Sequence, residues 1–272
     1  MRAAVLGRPV THSLSPLLHR TAYAALGLPD WSYDALDVGA DELPELIAGL
    51  GPEWRGFSVT MPCKQAAVRA ADVVDPLPGL LGAANTLLHT EQGWRAENTD
   101  VGGVGTALQL GLRLEADQQV PHAAILGAGG TAVAAAVALA SLGAAQVDVV
   151  VRDPARAGEV TRVLDVLGVG SAVHPFGVTR VEAPVVVSAV PIGGSPAAAD
   201  LGWRAGQTVL DVLYDPWPTP LAVAVARAGG TVISGLEVLF WQATAQVELM
   251  TGHPAPIPQM RAALDAHVGG AS

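Results

Sequence analysis

The sequence predicts an α/β protein of two domains, and three observations predict it. Strand-like and helix-like signals alternate through the first hundred residues, the pattern of a layered, largely parallel sheet. A polar break, LEADQQVPH (114–122), then interrupts the rhythm. After it comes a second, more regular alternation that opens on a glycine-rich turn, ILGAGGTA (125–132). The chain has 272 residues, enough for two domains of ordinary size, and half of it is hydrophobic, enough for a sizeable core.

The elements follow in order. AAVLG (3–7) reads as a strand. SPLLHRTAYAALG (15–27) reads as a helix, with Ser15 as N-cap and Pro16 at the first helical position. WSYDALDV (31–38) and GFSVT (56–60) are strands, and DELPELIAGL (41–50) and PCKQAAVRAA (62–71) are helices. AANTLLH (83–89) and GWRAEN (93–98) form a hairpin pair that breaks the alternation. In the second half, HAAILG runs through the glycine turn into an alanine-rich helix, and QVDVVV (146–151) leads into another helix. Three short strands follow within VVVSAVPIGG (185–194), TVLDVLYDP (208–216) and GTVISG (230–235). GLEVLFWQATAQVELMTG (235–252) and PIPQMRAALDAHV (256–268) are helical, with Trp241, Gln242, Ala245 and Leu249 at spacing that can share a face.

Composition excludes some functions. A net charge of -10 argues against a nucleic-acid partner, whose phosphates need a basic footprint, but leaves room for a small anionic substrate met by a local cluster of donors. The single cysteine, Cys63, forbids a disulfide within the chain and makes a cysteine-based metal cage a poor expectation. The seven histidines show no ligand spacing, so no metal is expected. The N-terminal apolar run is too short for a signal peptide. TAVAAAVALASLGAA (131–145), the longest apolar stretch, is too short and too alanine-rich to span a bilayer comfortably. The expectation is a soluble cytoplasmic enzyme without a membrane partner.

The glycine turn sits where a dinucleotide fingerprint sits, after a strand and opening a helix. Gly127 permits the tight turn, while Gly129 and Gly130, beside Ala128, let the backbone approach a pyrophosphate at the positive end of the helix dipole. The pattern is G-x-G-G-x-A, which a plain strand-to-helix turn also satisfies. The next strand ends in VRDPARA. Arg152 and Arg156 suit the 2′-phosphate of NADP, whereas an acid at this place holds the ribose 2′-OH of NAD. Arg152 stands first and favours NADP. Asp153 keeps NAD as the alternative, and a solvated helix start accounts for all three charges as well.

Other polar residues stand at strand ends. Lys64 in GFSVTMPCK starts a helix, where the dipole opposes its charge, and is a candidate acid/base. Asn98, Thr99 and Asp100 share a strand-to-helix junction, and Asp100 could simply cap the helix. Asn85 precedes a strand, and Gln242 lies in an otherwise apolar helix. Buried polar groups need partners, which a sugar-like ligand would supply. Ser13 and Ser15 put two hydroxyls between the first strand and the first helix.

Taken in order, these segments resemble the shikimate dehydrogenase family. GRPVTHSLSPLLH resembles G-x-P-x-x-H-S-x-S-P-x-x-H, GFSVTMPCK resembles G-x-N-V-T-x-P-x-K, GAANTL resembles G-A-x-N-T-L, and NTDVGG resembles N-T-D-x-x-G. GAGGTA, VRDPARA and the two C-terminal stretches DVLYDPWPTPL and GLEVLFWQATAQVELMTG continue the series. Ser58 stands where the family usually has Asn. The resemblance implies an N-terminal α/β substrate domain with a parallel-rich sheet (1–101 and 236–272) and a Rossmann-type dinucleotide-binding domain (102–235), with the active site in the cleft between them. It implies that Ser13 and Ser15 bind the substrate carboxylate, that Thr60, Asn85 and Gln242 hold ring hydroxyls or the carboxylate end, and that Lys64 and Asp100 are the catalytic pair. Val190, Val212 and Gly235 join the cofactor residues on the same ground. The implied reaction is NADPH-dependent, reversible reduction of 3-dehydroshikimate to shikimate in aromatic amino-acid (chorismate) biosynthesis, by a monomer or homodimer. A paralogue acting on quinate or an amino-shikimate, with NAD, and a nucleotide-binding sensor without catalysis are the alternatives.

Overall fold

The computed structural model describes residues 1–177 and 180–270. They form two compact units, residues 1–99 with 242–270 and residues 100–241 apart from 178 and 179.

The first unit is built on six strands: β1 (Arg2–Gly7), β2 (Ser32–Asp37), β3 (Trp54–Val59), β4 (Val73–Val74), β5 (Thr86–Thr90) and β6 (Gly93–Glu97). Their order is β2-β1-β3-β5-β6-β4. β1 is parallel to β2 and β3, and β5 is antiparallel to both β3 and β6, so the hairpin breaks the parallel rhythm as its sequence predicts. Helices α1 (Ser15–Ala25), α2 (Leu43–Ala48), α3 (Lys64–Ala70) and α4 (Pro76–Leu81) connect the strands. β1 shows why the sheet is a middle layer. Ala3 and Val5 pack with Tyr23, Tyr33 and Met250 on one face. Ala4 and Leu6 pack with Trp54, Phe57, Leu87 and Trp94 on the other. A strand buried on both faces reads as a continuous apolar run, as AAVL does.

The second unit contains α5 (Asp100–Gly111), β7 (His122–Leu126), α6 (Gly130–Ser141), β8 (Gln146–Val151), α7 (Gly158–Val166), β9 (Gly170–Pro175), β10 (Val185–Ser188), α8 (Ser195–Ala199), β11 (Thr208–Asp211), α9 (Pro220–Arg227) and β12 (Thr231–Ser234). The strand order is β12-β11-β10-β7-β8-β9, and every pairing is parallel. This is the doubly wound dinucleotide-binding order, whose chain reverses direction across the sheet between β7 and β10. Residues 132–139 of α6 are all buried, mostly alanines. Small side chains let this helix lie close against its neighbours. α10 (Gly235–Thr251) starts in this unit and ends in the first, and α11 (Ile257–Gly270) packs on α1. Among the described residues, no helix is long and apolar enough to cross a membrane.

The structure corrects several local expectations. Ser15 is not the N-cap of α1; Leu14 holds that place with helical backbone angles, and Pro16 is the second helical residue. The helical turn starts one residue early, and the Ser13 hydroxyl accepts the otherwise unpaired N–H of its first residue, Ser15, at 3.3 Å. β4, α4 and β9 carry no clear sequence signal. β4 has two residues, α4 contains two prolines, and β9 reads GSAVHP. On α10 the buried side chains are Val238, Phe240, Gln242, Ala243, Thr244, Gln246, Val247 and Met250, while Leu249 is exposed.

Candidate active site

One edge of the first sheet collects the polar residues. β1 ends at Gly7 and leads to Ser13 and Ser15; β3 ends at Val59 and leads to Thr60 and Lys64. β5 runs the other way, so its starting residue Thr86, and Asn85 before it, lie at the same edge, where Ser58 pairs with Thr86. β6 ends at Glu97 and delivers Asn98 and Thr99 there. Gly7 is required by this convergence. A Cβ on it would lie 2.4 Å from the Thr60 methyl and 2.8 Å from the Met61 carbonyl.

Behind that edge runs a buried hydrogen-bonded network. The Tyr33 hydroxyl donates to Ser58 Oγ at 2.5 Å, and Ser58 Oγ donates to Gln246 Oε1 at 2.6 Å. Gln246 Nε2 donates to the Asn85 carbonyl at 3.0 Å and to Thr86 Oγ1 at 2.9 Å. Thr86 Oγ1 donates to Asn85 Oδ1 at 2.9 Å, which also accepts the Thr99 N–H at 2.7 Å. Asn85 Nδ2 donates to Thr99 Oγ1 at 2.9 Å and to Gln242 Oε1 at 3.2 Å. Asn98 is tied to the Ala83 carbonyl at 3.0 Å. All of these side chains are buried. Buried amides and hydroxyls stay satisfied only in such fixed patterns, so the network holds Asn85 and Gln242 in set orientations.

The Tyr33 ring also stacks on His19, with ring centres 4.0 Å apart. Burial pushes the His19 imidazole down to about 3, opposed by the neighbouring Gln246, so the ring is neutral at neutral pH. Burial pushes the Tyr33 phenol up, opposed by its hydrogen bond to Ser58. Lys64 is the first residue of α3 and is half-buried. Asp100 is the first residue of α5, next in the chain to Thr99, and is buried.

In the second unit, the residues singled out for a dinucleotide follow the carboxyl ends of five parallel strands. Gly127 to Gly130 follow β7, Arg152 to Arg156 follow β8, and Val190, Val212 and Gly235 follow β10, β11 and β12. Gly127 has φ +106°, and a Cβ on it would meet the Ala189 carbonyl at 2.9 Å. The turn is therefore a glycine turn by both backbone and space. It stands between β7 and β10, where ligands bind in folds of this order. A Cβ on Gly129 would meet no protein atom within 4 Å, so the backbone there is open to a ligand. Gly235 closes on Val212, whose carbonyl would lie 2.1 Å from a Cβ at 235. Arg152 and Arg156 are exposed. Asp153 is committed locally: its carboxylate accepts the Ala155 N–H at 3.1 Å and caps the short 3-10 turn Pro154–Ala157. These groups fit a dinucleotide, with open backbone at a helix N-terminus and cations at the next strand end.

Sequence reasoning passed over Tyr33, Thr86 and Gln246. Gln246 had a usable signal, since it lies four residues after Gln242 on the same face of a mostly apolar helix. Tyr33 had none; an inward tyrosine in a strand reads as core.

Two family models match the chain. One, described as "Shikimate dehydrogenase substrate binding domain", covers residues 5–87, and the other, "Shikimate 5'-dehydrogenase C-terminal domain", covers residues 235–264. The shikimate dehydrogenase (NADP(+)) of Moorella thermoacetica is 36% identical over 281 residues, covering 99% of this chain and 94% of its own. The crystal structure of Mycobacterium tuberculosis shikimate dehydrogenase superposes with a TM-score of 0.88 at 48% identity, over 97% of this chain and 99% of that one. That of shikimate 5-dehydrogenase from Thermus thermophilus, in complex with NADP(H) and shikimate, gives a TM-score of 0.84 at 33% identity, over 98% and 99%.

Proposed function

The chain belongs to the shikimate dehydrogenase family, and from that premise we propose that it catalyses the reversible reduction of 3-dehydroshikimate to shikimate with NADPH, a step toward chorismate and the aromatic amino acids. It is an oxidoreductase with a small-molecule substrate. The observation that carries the reading is the first sheet's polar edge, where Asn85 and Gln242 are hydrogen-bonded to each other and where the strand ends lead to Ser13 and Thr60 and to the helix starts at Ser15 and Lys64.

Each group has a role that suits its chemistry. The Ser13 and Ser15 hydroxyls hold the carboxylate of shikimate beside the start of α1, where donors favour an anion. Thr60, Asn85 and Gln242 hold the ring hydroxyls or the carboxylate end. Lys64 and Asp100 form the acid–base pair. As shikimate is oxidised, the proton of the reacting hydroxyl passes to Lys64; in reduction Lys64 returns it and stabilises the developing alkoxide. NADP, when bound, supplies the hydride chemistry. Gly127, Ala128, Gly129 and Gly130 hold its pyrophosphate, and Val190, Val212 and Gly235 complete that edge. Arg152 and Arg156 hold the 2′-phosphate, which the capping role of Asp153 supports, because its carboxylate is turned to the Ala155 N–H. We assign the protein to the cytoplasm as a monomer or homodimer; the one cysteine, buried and outside any disulfide, fits a reducing compartment.

Initial rates with shikimate and quinate, each with NADP and NAD, test the assignment. Turnover confined to shikimate with NADP is expected. A preference for quinate or NAD would make the protein a paralogue, and no turnover with any pair would make it a sensor.

A further inference from the structure

We propose that Gln246 is a positioning residue that, with Thr86, sets the side-chain amides of Asn85 and Gln242 for substrate, an inference that rests on the reading that those two amides hold shikimate. Two backbone groups fix the sense of the network. The Asn85 carbonyl can only accept, so the Gln246 amide turns its Nε2 toward Asn85 and its Oε1 toward Ser58. The Thr99 N–H can only donate, so Asn85 turns its Oδ1 toward Thr99 and its Nδ2 toward Gln242. The Thr86 hydroxyl joins the two. It accepts from Gln246 Nε2 and gives its single proton to Asn85 Oδ1. Asn85 Nδ2 meets Gln242 at its Oε1, which turns the Gln242 Nε2 away from Asn85. Gln246 and Thr86 are both 0% exposed, so they act on a ligand only through Asn85 and Gln242. Ser58 is engaged on both sides, accepting from Tyr33 and donating to Gln246, and ties β2 and β3 into the same relay.

Thr86→Val removes one hydroxyl at nearly constant shape, and Gln246→Met removes both amide functions at similar length. Calorimetric titration of each folded variant should show shikimate binding weakened by about tenfold, the size of one lost hydrogen bond. NADP affinity should stay at the wild-type value. On an Asn85→Ala background, Thr86→Val should cause no further loss, because its action passes through Asn85. Unchanged shikimate affinity in both variants, an equal loss of NADP affinity, or full additivity with Asn85→Ala would overturn the proposal. If the wild-type protein fails to bind shikimate, the functional reading fails instead. The positioning role is then decided on the ligand-free protein by NMR of the Asn85 side-chain NH2. A single slowly exchanging pair of signals in the wild type, lost in Thr86→Val, supports it; identical spectra overturn it.

Discussion

The two units build their candidate sites by opposite means. In the second unit the candidate site is mainly backbone, a glycine turn at φ +106° and open space at Gly129, with the exposed Arg152 and Arg156 as its charged side chains. In the first unit it is nearly all side chain, with Ser, Thr, Asn and Gln held by a buried hydrogen-bonded network. The two sites are therefore sensitive to different substitutions. A backbone site fails when a Cβ intrudes, and loss of an exposed side chain beside it costs less. A side-chain network fails when one polar atom is lost, because each buried group orients the next.

Four substitutions or conditions test this contrast. The largest effect belongs to Lys64→Ala, which should lower kcat by about 10²–10⁴ with little loss of shikimate affinity, as general acid–base catalysis is worth. A near-normal kcat would remove Lys64 from the reaction. Next is Gly127→Ala, which places a Cβ against the Ala189 carbonyl on a left-handed backbone and should weaken NADP binding or the fold by about 1–3 kcal/mol, read by titration and thermal melting. Ala tolerated at 127 with full NADP affinity would deny that the turn is a backbone site.

The third concerns His19. Its folded pKa, about 3, lies below the unfolded value near 6.5, so between those pH values the unfolded chain binds the extra proton and stability rises with pH. Lowering the pH from about 7 to 5 should cost about 2 kcal/mol through this residue alone. Denaturant melts of wild type and His19→Phe should differ by that much in their pH dependence; parallel curves would mean that His19 takes up a proton as readily in the fold as in the unfolded chain. The smallest effect is expected for exposed Arg152. Arg152→Ala should raise KM for NADPH by about fivefold, or about 1 kcal/mol, and leave KM for NADH nearly unchanged. Equal effects on both would mean that Arg152 does not read the 2′-phosphate.

The same contrast governs what was legible in the sequence. The second unit was largely readable, because glycine turns and apolar strands are local signals. The strand it hid, β9, is built of GSAVHP, which lacks the β-branched run that marks a strand. In the first unit the segments bearing Ser13, Lys64 and Asn85 could be found by motif. The network behind them could not, since Ser58 and Gln246 meet across 188 positions and Gln246 and Asn85 across 161. Ser15 misled for a local reason: a capping residue keeps non-helical backbone angles of its own, and Ser15 lies inside the helix, behind a Leu14 that is already helical.

The division of labour between the units is tested most directly by calorimetry of each ligand alone, on wild type, Gly127→Ala and Asn85→Ala. A double dissociation is expected: Gly127→Ala loses NADP affinity and keeps shikimate affinity, and Asn85→Ala does the reverse. Either substitution weakening both ligands equally would contradict it.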